Sequence, residues 1–219
     1  MCVEYANSCS IYGLNSELQN IFKNRKKSIL TVCNHMSCMD DPLLWGSLDY
    51  SQLFSKNGPR WSGAANEICF SNLFTRLYFY LNRAVPIIRG GGIDQPGINF
   101  LIDRINDGSW VHVFPEGRVN DTNDYVRFKW GIGRIIKEAT VNIDIIPIWH
   151  CGFQNILPNK TPYFPRFGKK TLVYYGKPIS TITLKNKLKE YNKLTITDYI
   201  QNEMYMLKKK ATSIFDKIT

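Results

Sequence analysis

The sequence predicts an α/β fold: one domain with a central mixed sheet flanked by helices. Short apolar runs rich in β-branched residues (SILTVC, AVPIIR, WVHVF, IDIIPIW and TLVYYGKPI) alternate with stretches whose apolar residues recur at helical spacing. The chain has 219 residues, which suits one domain, and no linker, low-complexity tract or internal repeat breaks it. With 44% hydrophobic and 21% charged residues it has the composition of a folded globular protein. Residues 1–27 form a lead-in, 28–180 the α/β core and 181–219 a basic helical segment.

Each element has its own signal. SILTVC lacks polar alternation and reads as a buried strand. A helix near 42–48 follows, with Ser37 or Asp41 as its cap and Pro42 in its first turn. SKNGPRWSGAAN is turn-rich. Phe70, Leu73, Phe74, Leu77, Tyr78 and Leu81 then fall on one helix, which is a plain core helix, the wall of an apolar access route or a membrane-facing surface. AVPIIR reads as a strand leading into the Gly-rich turn RGGGIDQPG. Ile98, Leu101, Ile102 and Ile105 form the next helical face, ended by Gly108. WVHVF alternates as a strand and runs into PEGR. FKWGIGRIIKEAT reads as a helix despite two glycines, which cost about 1 kcal/mol each and so predict close packing. IDIIPIW and TLVYYGKPI are further strands. The last helix, capped by Thr197, carries Ile200, Met204, Leu207, Ala211 and Ile214 on one side.

Charge and composition narrow the function. Lys and Arg number 28 against 18 Asp and Glu, a net +10, with clusters at 23–27, 185–189 and 208–210. Such clusters suit an anionic membrane surface, the plain alternative being a solvated basic face. No helix-turn-helix, zinc-finger or RNA-recognition signature is present, so nucleic acid is not an expected partner. Cys2, Cys9, Cys33, Cys38, Cys69 and Cys151 form no CxxC pair and read as reduced, mostly buried thiols. His35, His112 and His150 are far apart and outside any ligand motif, so neither a metal nor another cofactor is expected. No run reaches the ~18 uncharged apolar residues of a spanning helix. The first twenty residues contain Glu4 and Glu17 and no Arg or Lys, unlike a signal or transit peptide. Work on membranes is therefore expected from their surface.

The chemistry concentrates at strand ends. In NHMSCMDD, His35 and Asp40 are five apart; on a continuous strand they would be about 16 Å apart on opposite faces, and on a continuous helix about 140° apart. They meet only if the chain turns between them. A carboxylate on one imidazole nitrogen fixes the tautomer and leaves the other nitrogen free as a base. The plain alternative is a solvated helix N-terminus beside a satisfied turn histidine. WVHVFPEGR brings Glu116 as an acceptor for substrate hydroxyls, Gly117 for close backbone approach and Arg118 for a phosphate, unless it is an ordinary tight turn. IIRGGG places Arg89 at a strand end before three glycines whose amides can help bind an anion.

NH(x4)D, a strand-end arginine, FPEG and IIPIWH, in that order, resemble the signature of the glycerolipid acyltransferases. NHMSCMDDPLLWG, RWSGAANEICF, RFKWGIGRIIKEA and PYFPRFGKKTLVYYGKPI extend the likeness to one branch, over roughly residues 11–205. The resemblance implies an interfacial mitochondrial enzyme, on membranes facing the intermembrane space, that moves acyl chains between phospholipids and lysophospholipids without coenzyme A and remodels cardiolipin. It implies His35 as base and Asp40 as its partner. Arg89, Glu116 and Gly117 become acceptor-binding residues, and His150 a structural one. Many relatives follow FPEG with Thr-Arg, where this chain has Arg118-Val119. An acyl-CoA-dependent lysophospholipid acyltransferase would use the same motifs. A non-catalytic lipid-binding relative would have lost the histidine or the aspartate, and both are present here.

Overall fold

The structure, a computed structural model, describes residues 7–54, 58–120, 122, 124–159, 161 and 164–219. Its sheet contains β1 (Ser8–Tyr12), β2 (Ser28–Cys33), β3 (Trp61–Ala65), β4 (Ala84–Ile87), β5 (Trp110–Val113), β6 (Ile143–Cys151), β7 (Lys170–Tyr175) and β8 (Ile179–Ser180). The strand order is β1-β7-β6-β2-β5-β3-β4, with β8 paired to β6. β2 to β6 all run parallel; β7 and β8 are antiparallel to β6, and β1 is parallel to β7. The C-terminal ends of five strands therefore share one edge, where open α/β sheets usually bind ligands.

All six residues of β2 are buried because it lies between β5 and β6 with a helical layer on each face. Its side chains divide by the two-residue period. Leu30 and Val32 face a core shared with α6 (Pro96–Asn106), α7 (Gly131–Glu138) and α10 (Lys193–Ile218). Ile29 and Cys33 face the opposite core, shared with α1 (Ser16–Asn24) and α2 (Asp40–Trp45). Of the two glycines of α7 only Gly133 shows the expected close packing: a Cβ there would overlap the Lys193 carbonyl and the Thr197 hydroxyl, whereas one on Gly131 would make an ordinary contact with Ile98.

Several local expectations are revised. The lead-in supplies β1 and α1, and the turn-rich segment contains β3, although Ser55 to Asn57 lie outside the described residues. The last helix starts at Lys193 under an Asn192 cap, while Thr197 is internal and donates to the Lys193 carbonyl at 2.6 Å. Neither Ser37 nor Asp41 caps α2; Met39 holds that position without a side-chain bond, and Pro42 lies in the first turn. Of the cysteines only Cys33 and Cys151 are buried, Cys38 is exposed, and Cys2 lies outside the described residues. In the basic cluster 23–27, Arg25 is buried, donates to the Gln52 and Leu53 carbonyls and stacks on Trp110, so it is closed to any anionic surface.

The stretch 70–81 departs most. Its helix, α5 (Leu73–Leu81), starts only at an Asn72–Thr75 capping box, leaving Phe70 outside it, and the short α4 (Asn66–Cys69) precedes the stretch. None of its residues is buried, which overturns the core-helix reading. Short helices α3 (Tyr50–Leu53), α8 (Phe153–Ile156) and α9 (Thr181–Lys187) complete the fold. No helix among the described residues is long and apolar enough to cross a membrane.

Candidate active site

The end of β2 is fastened to β6 by a side chain. The Asn34 carboxamide donates to the His150 carbonyl at 3.1 Å and accepts from the His150 amide at 2.9 Å, continuing the ladder beyond Cys33. The chain then curls. Asp40 Oδ2 accepts from the Met36 and Ser37 amides at 2.5 and 2.9 Å, which turns the carboxylate back over the loop that precedes it. His35 Nδ1 lies 2.9 Å from the same oxygen. A carboxylate only accepts, so Nδ1 carries the proton and Nε2 keeps its lone pair.

Four N–H groups converge on Oδ2, because His150 Nε2 also lies 3.2 Å from it. Burial pushes the Asp40 pKa up. The attraction of His150 and hydrogen bonds from both imidazoles outweigh it and hold the carboxyl well below the ordinary range. Its other oxygen, Oδ1, is buried without a partner among the described residues.

The FPEG turn clamps His35 from the other side. Glu116 Oε1 accepts from the His35 amide at 3.1 Å, the Asn120 amide donates to the His35 carbonyl at 2.6 Å, and the Phe114 ring stacks on the imidazole at 4.2 Å between centroids. Gly117 has φ 68°, the left-handed region in which a side chain would be strained. Burial raises the Glu116 pKa, and Oε2 is buried without a partner among the described residues. One Glu116 oxygen is thus committed to positioning His35, while the other has unused accepting capacity.

The structure brings together His35, Asp40, Glu116 and Gly117. Arg118 stands beside them at the turn, exposed. Arg89 does not join: it follows β4, separated from β2 by β5 and β3, and its Nε lies 3.2 Å from Glu67 Oε1. Asp41 points away from His35 into a forked pair with Arg60, and Trp45 Nε1 donates to it at 2.7 Å. Among the described residues no group of three or more His, Cys, Asp or Glu is placed to hold a metal ion.

Sequence reasoning missed four contributors: the His150 contact with Asp40, the Asn34 clamp, the Phe114 platform, and Lys129, whose side chain lies against Gly117. The motifs contain three of these residues but not the contacts, which follow from strand register. Lys129 carried no signal of its own within a stretch read as helix, and the helix in fact begins two residues later, at Gly131.

Residues 15–151 match the Acyltransferase family model. The chain is 40% identical over 176 residues to tafazzin of Drosophila melanogaster, which covers 80% of this chain and 47% of that protein. It is 33% identical over 220 residues to the tafazzin of Dictyostelium discoideum, covering 97% of this chain and 76% of that one. An N-acylphosphatidylethanolamine synthase of Arabidopsis thaliana is 36% identical over 79% of this chain and 63% of its own. The chain thus spans about half the length of the fly relative. Among solved structures, a 1-acyl-sn-glycerophosphate acyltransferase of Thermotoga maritima superposes with a TM-score of 0.65 over 94% of this chain and 72% of its own, at 16% identity, a likeness of fold.

Proposed function

The chain belongs to the acyltransferase family, alongside the tafazzins, and from that membership we propose that it is a tafazzin-like transacylase exchanging acyl chains between phospholipids and lysophospholipids without coenzyme A. The observation that carries the chemistry is the Nδ1-protonated His35, held by Asp40, beside Glu116 Oε2, which is buried without a partner among the described residues.

In this reading Nε2 takes the proton from the free glycerol hydroxyl of a lysophospholipid as that oxygen attacks the ester carbonyl of the donor. Asp40 stabilises the resulting imidazolium. The tetrahedral adduct collapses with cleavage of the donor's ester bond, and the departing glycerol oxygen takes the proton back from Nε2. One oxygen ester is made and one broken, so the exchange is nearly thermoneutral and no protein nucleophile is needed. Glu116 Oε2 accepts from a neighbouring substrate hydroxyl. The acceptor phosphate is held by the cations around the turn, Arg118 and Lys129, and by Arg89 once it leaves Glu67. Cardiolipin remodelling on mitochondrial membranes facing the intermembrane space, with the protein peripheral on an anionic surface, completes the proposal and rests on the tafazzin likeness.

The Arabidopsis relative bears the name of an N-acylating enzyme, so an amine acceptor is the second reading. Purified protein is mixed with acyl-labelled phosphatidylcholine and either a lysophospholipid or phosphatidylethanolamine, without coenzyme A, and products are read by mass spectrometry. Label on the lysophospholipid is expected. Transfer only after acyl-CoA is supplied, or only onto the amine, overturns the reading.

A further inference from the structure

Helix α5 is built inside out. At about 100° per residue, its half-buried positions Thr75 and Phe79 face the protein, Phe79 packing on Phe70, and Leu77 points directly away from them. Around Leu77 lie Leu73, 80% exposed, Phe74 at 82%, Tyr80 at 72% and Leu81 at 70%, with Tyr78 at the margin. Exposed Ile68 on α4 and Ile88 just past β4 extend the surface. A soluble monomer rarely leaves so contiguous an apolar face bare.

We propose that this outward face of α5, with Ile68 and Ile88, is the surface by which the protein lies on a phospholipid bilayer. Leu73, Phe74, Leu77 and Leu81 enter the acyl layer, and Tyr78, Tyr80 and Arg76 sit at headgroup level. This deepens the proposed function and rests on it, since both substrates named there are bilayer lipids.

Three observations favour a lipid surface as the occupant. Between Ile68 and Ile88 the chain contains no carboxylate, and its exposed cation there is Arg76, which suits phosphate headgroups, while Arg83 donates to the Pro59 carbonyl and lies over Trp61. Tyrosine rings, apolar in body and polar at the tip, partition to the membrane boundary. One end of the face, at α4 and Ile88, also adjoins the catalytic edge. α4 begins directly after β3 and Ile88 directly after β4, the edge at which β2 delivers His35, and β3 lies two strands from β2, or about 10 Å. A bilayer under α5 would thus lie beside the mouth of the site, so a lipid need not cross water to reach it. The basic clusters on α9 and α10 belong to another part of the molecule, so apolar insertion rather than net charge sets this contact.

The test is flotation of the chain with phosphatidylcholine vesicles, with and without an anionic phospholipid, at low and high salt. Binding that largely survives high salt is expected. Leu77→Gln and Phe74→Gln, each made at a water-exposed position and so without threat to folding, should each lower vesicle partitioning about tenfold. Ile182→Gln, an exposed apolar change on α9, should leave it unchanged. As a readout free of substitution, amide exchange across residues 70–82 should slow when vesicles are added. Undiminished flotation of the Phe74→Gln/Leu77→Gln double variant overturns the proposal. So does a wild-type dimer that Leu77→Gln dissociates while vesicles leave the 70–82 amides unprotected, since a second copy would then cover the face. Docking and transfer fail separately: vesicle binding through α5 without acyl transfer sinks the transacylase reading alone, and transfer without α5 dependence sinks the docking surface alone.

Discussion

Asp40 and His150, 110 positions apart in sequence, touch in the closed interior of the site, with Oδ2 3.2 Å from Nε2. The same Nε2 lies 3.2 Å from the Asn34 carbonyl. Both neighbours are acceptors, so Nε2 bears the proton. His150 Nδ1, buried without a partner among the described residues, is left as a lone pair, which is cheaper than an unsatisfied N–H. His150 therefore donates to the oxygen that orients His35, and the two imidazoles share one carboxylate oxygen.

Removal of the proposed base, His35, comes first. His35→Ala should lower transfer by about 10²- to 10⁴-fold, the usual range of a general base, with little change in melting temperature because the ring is partly exposed. Asp40→Asn should lower the rate and also destabilise the fold. With its oxygen kept at the four donors, the new amide group is buried at the Oδ1 position, where no acceptor stands, at a cost of about 1–3 kcal/mol. Denaturant titration alongside the transfer assay separates the two effects. A folded His35→Ala protein with near-normal transfer would refute the mechanism.

His150 should matter through Asp40. His150→Phe removes one N–H donor from a buried carboxylate, so the Asp40 pKa must rise. The acid limb of the pH–rate profile is expected to move upward and the maximal rate to fall about tenfold. A purely packing role would lower stability and leave the acid limb in place.

A second histidine sets the acid stability of the fold. Thr31 Oγ1 donates to the Val111 carbonyl and accepts from Trp110 Nε1, so His112 Nδ1, at 2.8 Å, is best assigned as its second donor. Burial lowers the His112 pKa to about 3, well under the unfolded value near 6.5. Between those values the unfolded chain binds the proton and the folded chain does not. Stability contributed by this group is therefore complete above about pH 6.5 and is lost as the pH falls, by about 1.4 kcal/mol per unit, until the folded pKa is reached. Urea titrations from pH 7 to 4 should show this slope, and His112→Gln should flatten it. Asp40, held low in the folded state, adds a loss of the same sign below its ordinary range.

What the sequence revealed depended on how each signal arises. β2 was legible because a strand buried on both faces must be apolar throughout. β3 was not: WSGAA uses small residues since Gly63 lies against Ile87 and Leu101, and close packing of that kind leaves no β-branched signature. β1 is a partly exposed edge strand with little hydrophobic pattern. In α5 the periodicity announced an apolar face but not what covers it. The His35–Asp40 turn was legible from spacing and turn chemistry. The Asp40–His150 contact was not, because it depends on the β2–β6 register that sets Cys33 opposite Ile148.

That register-level packing yields a sharp stability test at Gly133. Alanine at a helix interior ordinarily gains about 1 kcal/mol over glycine. Here a Cβ would overlap backbone at the Lys193 carbonyl, where α10 begins, so turning the Thr197 hydroxyl aside would not make room for it. Gly133→Ala should therefore destabilise by about 1–3 kcal/mol, read from thermal or urea unfolding. A stabilised variant would mean that the two helices do not meet this closely.

The final prediction ranks the cations around the site. Lys129 packs against Gly117, one residue from Glu116, whereas Arg89 stands three strands from His35, about 14 Å by strand spacing, and is engaged with Glu67. A phosphate contact from a charged side chain is worth about 1.5–3 kcal/mol, or roughly ten- to a hundredfold in acceptor affinity. Lys129→Ala should therefore raise the KM for the lysophospholipid about tenfold while kcat holds, because the cation binds the acceptor equally before and during the chemical step. Arg89→Ala should act less, since Arg89 must first give up an exposed ion pair whose own worth is about 0–1 kcal/mol. Glu67→Gln, which frees Arg89, should lower KM if the arginine does swing to the phosphate. Steady-state kinetics with a dispersed short-chain lysophospholipid keep membrane docking out of the measurement. A larger KM effect from Arg89→Ala than from Lys129→Ala would move the acceptor phosphate over the ends of β3 and β4.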